Sequence, residues 1–246
     1  MNTKKYDNII SLGFFCSTAS ELERLGLRRN SSPFDWVLSF DISKVIDLIN
    51  NEFEGIFNIK YLKQYRSNPS YYVNTKYDIH FYHDFDKYKT LEAQLEDIDN
   101  KYRRRINRFY EVIKSKTLFV RYISSKEECV YIEENLLEIL EVLRRYNQEN
   151  DIIFVANDDI VSNKLEIFNV EVDNEDTVAR KFIEKNTQLE KYLASDIYDS
   201  KKRKENIKVY DNKEKRKKIL KIPKKCINLI KKIILKIKIH SNIYNR

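Results

Sequence analysis

A cysteine with the setting of a nucleophile stands near the start of the chain, where an apolar run gives way to a glycine. Residues 9–12 are followed by Gly13, and Cys16 comes three residues later. The chain has three glycines, so one at this position indicates a backbone conformation that other residues resist. Thr18 and Glu21 have the spacing of a capping box, which predicts a helix that begins just after Cys16. Unpaired N–H groups and the positive end of the helix dipole favour a thiolate there, which makes Cys16 a candidate nucleophile.

An imidazole base for this cysteine must be His80 or His83, because the third histidine of the chain lies in its basic tail. His83 precedes Asp84 at the expected end of a strand, where it is exposed enough to reach a substrate, so we predict His83 as the base. A zinc site on the two histidines is disfavoured, because residues i and i+3 of a strand face opposite ways. No metal ion and no other cofactor is expected.

Polar residues also follow a second apolar run, at Asn157, Asp158 and Asp159. They are candidates to orient the histidine, or to hold a divalent cation on the phosphates of a nucleotide sugar. The structural alternative is a solvated turn. Ligands bind beyond the carboxyl ends of parallel strands, so this segment and Cys16 are expected to share one cleft.

Other residues are predicted to support the site or to bind substrate. In residues 32–36, Ser-Pro-Phe-Asp-Trp, the proline fixes the backbone, the aromatic side chains anchor the loop, and Asp35 pairs with Arg28 or Arg29. Further along, a charged helix face is mostly solvated but offers two arginines to an anionic ligand. The supporting and binding residues are predicted to be Gly13, Ser17, Ser32, Asp35, Trp36, His80, Asn157, Arg105 and Arg108.

The elements that must position these residues alternate along the chain. The hydrophobic pattern predicts strands at 7–12, 77–83, 117–123, 151–156 and 165–170 and helices at 18–26, 41–50, 90–115, 130–146 and 176–193. Residues 61–76, rich in Tyr and Asn, are expected to be irregular. Continuous apolar strands between amphipathic helices indicate an α/β fold, with a layered and mainly parallel sheet flanked by helices.

Charge divides the chain into two parts. Residues 201–246 hold 18 Lys and Arg against three acids, whereas the first 200 residues hold 28 against 35. We therefore predict an α/β domain over residues 1–200 and a basic tail over residues 201–246. Three widely spaced cysteines indicate a reducing compartment, and Cys129 and Cys226 are interpreted as structural. The sequence shows neither a signal peptide nor an apolar run of transmembrane length, which indicates a cytoplasmic protein.

The tail contains a predicted basic amphipathic helix. Between Lys224 and Ile239, isoleucines and leucines recur on one side of a 3.6-residue helix, and lysines occupy most of the other. Such a segment suits an anionic membrane surface, so residues 213–239 are predicted to hold the protein at the inner face of the membrane. Nucleic-acid binding is the less favoured alternative, and a disordered solubilising tail is the structural one.

The N-terminal motifs resemble those of DUF1796, a bacterial family described as papain-like cysteine peptidases. The resemblance covers roughly residues 7–160, and its motifs are Ser11-Leu12-Gly13-x-x-Cys16, Leu25-Gly26-Leu27-Arg28, Ser32-Pro33-Phe34-Asp35-Trp36, His83-Asp84-Phe85 and Arg104-Arg105-Ile106-x-Arg108-Phe109. It implies Cys16 as nucleophile, His83 as base and Asn157, Asp158 or Asp84 as third member. It also implies a papain-like α+β fold, with the cysteine on a central helix and the histidine on an antiparallel sheet. The predicted alternation of strands and helices departs from that fold.

These observations lead to a thiol-dependent hydrolase or acyltransferase as the first hypothesis. In it, Cys16 attacks a carbonyl, His83 takes and returns the proton, and Asp158 or else Asp84 orients the imidazole. The N–H groups of residues 16–18 hold the oxyanion. The alternatives are a surface-glycan biosynthesis enzyme, glycosyltransferase-like or accessory, and a non-enzymatic membrane-tethered binding module.

Overall fold

A computed structural model describes residues 5–171, 181–194 and 197–220. The chain divides into two compact units, Met1–Asn206 and Ile207–Arg246. The strands are β1 (Asn8–Ser11), β2 (Val37–Ser39), β3 (Leu62–Gln64), β4 (Tyr72–Asn74), β5 (Ile79–Phe81), β6 (Thr117–Ile123), β7 (Asp151–Asn157) and β8 (Ile167–Val170). The helices are α1 (Cys16–Arg24), α2 (Ile42–Asn50), α3 (Leu91–Ile113), α4 (Lys126–Arg144), α5 (Phe182–Lys185), α6 (Thr187–Ala194) and α7 (Ser200–Leu220).

The first sheet is parallel and has the order β1-β6-β7-β8. Its strand β6 is buried along its whole length, and alternate residues enter two different cores. Phe119 and Ile123 pack with residues of α2, α3 and α4, whereas Leu118 and Val120 pack with residues of α1, α5 and α6. Helices cover both faces, which is why the strands are continuously apolar. The predicted α/β class with a mainly parallel sheet is confirmed.

A second, antiparallel sheet of order β2-β5-β4-β3 carries the region of the two histidines. The prediction that residues 61–76 are irregular is wrong, because they contain β3 and β4. Each of these strands has three residues, which is too short for an alternating pattern to show in the sequence. Pairing stabilises them instead, since β3 pairs with β4 and β4 pairs with β5.

Helix α1 begins earlier than predicted, and the predicted capping box is wrong. Phe15 is the N-cap residue and Cys16 is the first residue of the helix. Thr18 is buried inside the first turn, and Glu21 pairs with Arg24 at 2.8 Å instead of reaching back to the helix start. The helix ends at Arg24, and the φ of +70° at Gly26 turns the chain so that Leu27 N–H bonds to the carbonyl oxygen of Leu22.

The predicted helix at 176–193 is two helices where the structure describes it. Asn186 separates α5 from α6, and its side-chain oxygen accepts a hydrogen bond from Leu189 N–H at 2.8 Å. Residues 172–180 lie outside the described residues. An asparagine inside an apolar periodicity can cap the following helix, which the hydrophobic pattern alone does not reveal.

The basic end of the chain is described only in part. Helix α7 begins in the first unit, where Arg203 and Asn206 donate hydrogen bonds to the carbonyl oxygens of Leu25 and Gly26, each at 2.9 Å. The amphipathic helix predicted between Lys224 and Ile239 lies outside the described residues. No helix in the described part of the chain has the length and apolar character needed to cross a membrane.

The turn between β1 and α1 requires a glycine at position 13. Gly13 has a φ of +90°, and a Cβ atom there would lie 2.5 Å from Ser39 Oγ and 3.0 Å from Arg121 Nη1. Both neighbours are buried and hydrogen-bonded to each other, at 2.9 Å, so neither can move away freely. The expectation that this glycine marks a special backbone conformation is confirmed.

We expect Gly13→Ala to lower the free energy of unfolding by about 3 kcal/mol or more, since it adds backbone strain and a buried clash. Gly55→Ala is the matched control. Gly55 also has a positive φ, but its nearest neighbour is the ring of Tyr61 at 3.3 Å. The control should cost about 1–2 kcal/mol, from strain alone. Urea denaturation measures both, and equal losses would contradict the close packing at Gly13.

Candidate active site

Cys16 is placed at the start of a helix with its thiol half-buried. Its Sγ accepts a hydrogen bond of 3.1 Å from the hydroxyl of Tyr82. The first turn of α1 contains no acidic residue, so the positive end of the helix dipole is not offset there. The sulfur therefore lies next to a hydroxyl donor and to the unpaired N–H groups of a helix start.

Two backbone donors remain available beside the sulfur. Within the described chain, the N–H groups of Cys16 and Ser17 donate no hydrogen bond, whereas Thr18 N–H donates to Phe15 O at 3.3 Å. The predicted oxyanion donors at residues 16–18 are thus reduced to two. Both belong to the first turn of α1, the usual place for free backbone donors.

Tyr82 is the residue that sequence reasoning missed. Burial, and then the hydrogen bond to Cys16, raise the pKa of Tyr82 above its ordinary value, so the phenol remains protonated and acts as the donor. Tyr82 directly follows β5, and residues two apart in an extended chain share a face, which groups Tyr82 with His80. Tyr82 and His80 both contact Tyr71, which confirms that they lie on the same side.

His83 lies beside this pair but is not hydrogen-bonded to the sulfur. It is exposed, and its ring centroid is 3.9 Å from that of Tyr82. The ring of Trp36 meets it edge-on, with 6.2 Å between centroids. Cys16, Tyr82, His83 and Trp36 therefore form one continuous cluster at the surface.

The imidazole that has a carboxylate partner is His80. Its Nε2 lies 3.0 Å from Asp78 Oδ1 and its Nδ1 lies 2.9 Å from Tyr71 OH. The ring is buried and meets Phe40 edge-on, with 5.2 Å between centroids. Since both ring nitrogens are engaged, His80 has no free nitrogen to offer to Cys16.

The carboxylate of Asp84 is bonded to residues other than the neighbouring His83. It forms an ion pair with Lys101 and accepts a hydrogen bond of 2.8 Å from Tyr102 OH. The carboxylate is thus turned toward α3. Sequence adjacency suggested a partner for the imidazole, but neighbouring residues at a strand end point in different directions.

Asn157 and Asp158 lie at the end of β7, which β6 separates from β1. Asn157 Oδ1 accepts a hydrogen bond from Tyr122 OH, and the Tyr122 ring meets that of Phe15 edge-on at 5.5 Å. Asp158 is exposed, and its backbone N–H donates to Val170 O at 3.1 Å. These hydrogen bonds do not involve Cys16, so a place for either residue in its site stays a prediction.

The 32–36 loop is held by a buried ion pair. Asp35 accepts hydrogen bonds from Arg28 and from Ser32 N–H, the latter at 2.8 Å. Arg28 lies over Trp36, with 6.0 Å to the ring centroid, and Trp36 contacts His83. The loop thus supports the His83 side of the cluster.

The carboxyl of Asp35 is strongly perturbed by burial. Removal from water raises the pKa of Asp35 from 3.8 to about 6, against the opposing effect of Arg28. One of its oxygens, Oδ1, has no hydrogen-bond partner in the described part of the chain. Arg105, a predicted binding residue, lies over Tyr102 at 5.0 Å and acts electrostatically on Asp35.

A fully buried arginine fixes the turn that presents Cys16. The five N–H donors of Arg121 are all engaged: two bond to Glu128, two to the carbonyl oxygens of Leu12 and Ser39, and one to Ser39 Oγ. The backbone of the turn is also held directly, since Ser39 N–H donates to Phe14 O at 2.8 Å. The residues just before Cys16 are therefore fixed in place by these hydrogen bonds.

The described residues contain no group of three or more His, Cys, Asp or Glu side chains that could hold a metal ion. His80 and Asp78 are two potential metal ligands that lie together, with 3.0 Å between Nε2 and Oδ1.

Asp35 makes a pH-dependent contribution that we expect to measure. With a native pKa of about 6, the folded state binds the proton more tightly than the unfolded state, so stability falls as pH rises from about 4 to about 6. The difference in unfolding free energy between wild type and Asp35→Asn should fall by about 3 kcal/mol over this range. Asp159→Asn, at an exposed position, controls for the loss of one negative charge. A constant difference between pH 4 and 7 contradicts the raised pKa.

Comparisons with known proteins agree with these motifs. A family model matches residues 7–160, and its description reads "Putative papain-like cysteine peptidase (DUF1796)". The chain is also similar to Uncharacterized protein R408 of Acanthamoeba polyphaga mimivirus, with 29% identity over 171 residues that cover 60% of this chain and 77% of the viral protein. No solved structure matches significantly. The family match takes in the turn at Gly13, Cys16, the 32–36 loop and His83, and the chain belongs to the DUF1796 family.

Proposed function

We propose that this protein is a cysteine peptidase or related thiol-dependent hydrolase in which Cys16 is the nucleophile. The observation that carries the proposal is the hydrogen bond of 3.1 Å from Tyr82 OH to Cys16 Sγ, at a helix start and beside an exposed histidine. A thiol in this setting is stabilised as an anion by the helix dipole and by a hydroxyl donor. The family description supports the same class of reaction.

The reaction has two covalent steps. Cys16 Sγ attacks the carbonyl carbon of the substrate and passes its proton to His83, the bond to the leaving group breaks, and His83 protonates the leaving group. Water then attacks the thioester, giving one proton to His83 while the C–S bond breaks. That proton returns to Cys16, which restores the free enzyme. In this scheme, the N–H groups of Cys16 and Ser17 bond the oxyanion in both steps.

Tyr82 and His83 have different tasks in this scheme. The Tyr82 hydroxyl remains protonated and donates its hydrogen bond to the sulfur, which stabilises the negative charge that develops as the Cys16 proton passes to His83. The exposed imidazole of His83 rotates from its position against the Tyr82 ring to exchange the proton. His80 is held by Asp78 and Tyr71 and supports the antiparallel sheet. The glycan-enzyme and binding-module hypotheses stay as predictions.

The proposal is tested by the reactivity of Cys16 in the full chain. We expect iodoacetamide at neutral pH to label Cys16 rapidly and the buried Cys129 slowly, as measured on tryptic peptides by mass spectrometry. Tyr82→Phe should slow labelling of Cys16 by about tenfold, because the sulfur loses its hydroxyl donor. Hydrolysis of thioester, ester and peptide substrates should vanish in Cys16→Ala and fall by about 10²–10⁴-fold in His83→Ala.

Cys129→Ala is the matched control for the loss of a thiol and should keep the activity. Retention of hydrolysis by Cys16→Ala on every substrate that the wild type cleaves would falsify the mechanism. An equal loss of activity in His80→Gln and His83→Ala, with both variants folded, would remove the assignment of His83 as the base.

We also propose that residues 213–239 bind an anionic membrane surface. The support is the charge of the tail, the isoleucine periodicity between Lys224 and Ile239, and the exposed basic residues of α7, of which Arg216 is one. Attraction of about 1 kcal/mol per basic residue and burial of the apolar side would act together.

Deletion of residues 213–246 should abolish co-sedimentation with phosphatidylserine vesicles while leaving the thermal stability of the remaining chain unchanged. A triple variant with Lys231, Lys232 and Lys236 changed to Gln should bind more weakly than one with Lys87, Lys89 and Lys114 changed to Gln. Equal binding by the two triple variants, or vesicle binding that survives the deletion, would show that the tail is not the anchor.

A further inference from the structure

A pocket at the free edge of β1 has the chemistry of an anion-binding site. We propose that it binds a small ligand that carries a phosphate or carboxylate group on an apolar body. The pocket is lined by the start of β1, the loop that follows α1, the end of α3, and Tyr198. β1 is an edge strand of the parallel sheet, so no other strand in the described part of the chain pairs with this side of it.

The charge of the lining is the first observation. Among the described residues, three arginines line the pocket, Arg28, Arg29 and Arg108, and no Asp or Glu does. Arg29 and Arg108 are exposed, and neither forms an ion pair within the described part of the chain. Two guanidinium groups without acidic partners on one pocket are suited to an anion, since their planar N–H donors match a carboxylate or phosphate.

The third arginine adds a buried donor. The side chain of Arg28 is 5% exposed, and it is held by Asp35 and by Glu23, the latter at 2.6 Å. Its Nε–H has no hydrogen-bond partner in the described residues, although the group is buried. A buried, unsatisfied, charged donor is costly, and a ligand oxygen in the pocket would offset that cost.

The loop supplies further donors. The backbone N–H groups of Arg29, Asn30 and Ser31 donate no hydrogen bond within the described chain, and all three residues line the pocket. Backbone N–H groups that are not used within the chain are donors available to an anion in the pocket.

An apolar wall completes the pocket and indicates what carries the anion. The aliphatic and aromatic lining residues are Ile9, Ile10, Leu27, Phe109, Val112 and Tyr198. Apolar surface beside a few convergent polar groups is typical of sites for small organic ligands. Inorganic phosphate has no apolar part that could contact this surface. Arg108, which the sequence suggested for an anionic ligand, is one of the residues that line this pocket.

The test compares phenyl phosphate, benzoate and inorganic phosphate by isothermal titration calorimetry on the full chain. We expect phenyl phosphate or benzoate to bind more tightly than inorganic phosphate, and the better of the two identifies the anionic group. Arg29→Ala and Arg108→Ala should each weaken binding by about tenfold. Arg104→Ala is the matched control, because Arg104 is an exposed arginine on the same helix as Arg108 and does not line the pocket.

Cys16→Ala should bind these ligands as the wild type does, which separates this site from the proposed reaction. An equal loss of affinity in Arg104→Ala and Arg108→Ala would mean that net charge alone attracts the anion, and would overturn the proposal. So would the absence of measurable binding of all three probes, or unchanged affinity in a folded Arg29→Ala/Arg108→Ala double variant.

Discussion

The arrangement of this protein depends on one buried guanidinium group. Arg121 is fully inaccessible, and all five of its N–H donors are bonded to groups from three different parts of the chain. A buried charge is tolerated only when it is paired and its remaining donors are satisfied, and Glu128 with two carbonyl oxygens and a hydroxyl meets both conditions. Glu128 in turn accepts from Ile42 N–H, so the same pair also holds the start of α2.

This guanidinium group links the two sheets and so determines what Cys16 can meet. The ends of β1 and β2 are both bonded to Arg121, through Leu12 and Ser39. β2 pairs with β5, which leads directly into Tyr82. Cys16 begins the helix that follows β1 of the parallel sheet, and Tyr82 follows β5 of the antiparallel sheet. The link between the sheets thereby brings the Cys16 thiol to the Tyr82 hydroxyl. The distance from Tyr82 to Cys16 is a consequence of the buried charge between the sheets.

The second buried ion pair, between Arg28 and Asp35, contrasts with the first. It leaves Arg28 Nε and Asp35 Oδ1 without partners in the described residues, and burial raises the pKa of Asp35 despite the adjacent cation. Incompletely satisfied polar networks are costly, and they are expected where function requires them. Arg28 contacts Trp36 in the loop that supports His83, and it also lines the proposed anion-binding pocket. The unsatisfied ion pair therefore lies between two proposed functional regions.

Local sequence was sufficient for the α/β class, the strands β1, β6 and β7, the helices α2, α3 and α4, and the special turn at Gly13. Each of these leaves a periodic or conformational signature within a few residues, because the face that is buried repeats with the geometry of the element. The three-residue strands β3 and β4, the start of α1 at Cys16 and the engagement of Asp84 by Lys101 leave no such signature. They depend on which distant groups come near.

The same reason explains the candidate site. The sequence by itself determined that Cys16 stands at a strand-to-helix turn and that the histidines lie near a strand end. Only the tertiary structure decided that Tyr82 bonds the sulfur, that Asp78 pairs with His80, and that an arginine within the apolar run of β6 joins the two sheets. Hydrogen bonds between residues distant in sequence require a choice among many equivalent donors and acceptors, and the path of the folded chain makes that choice.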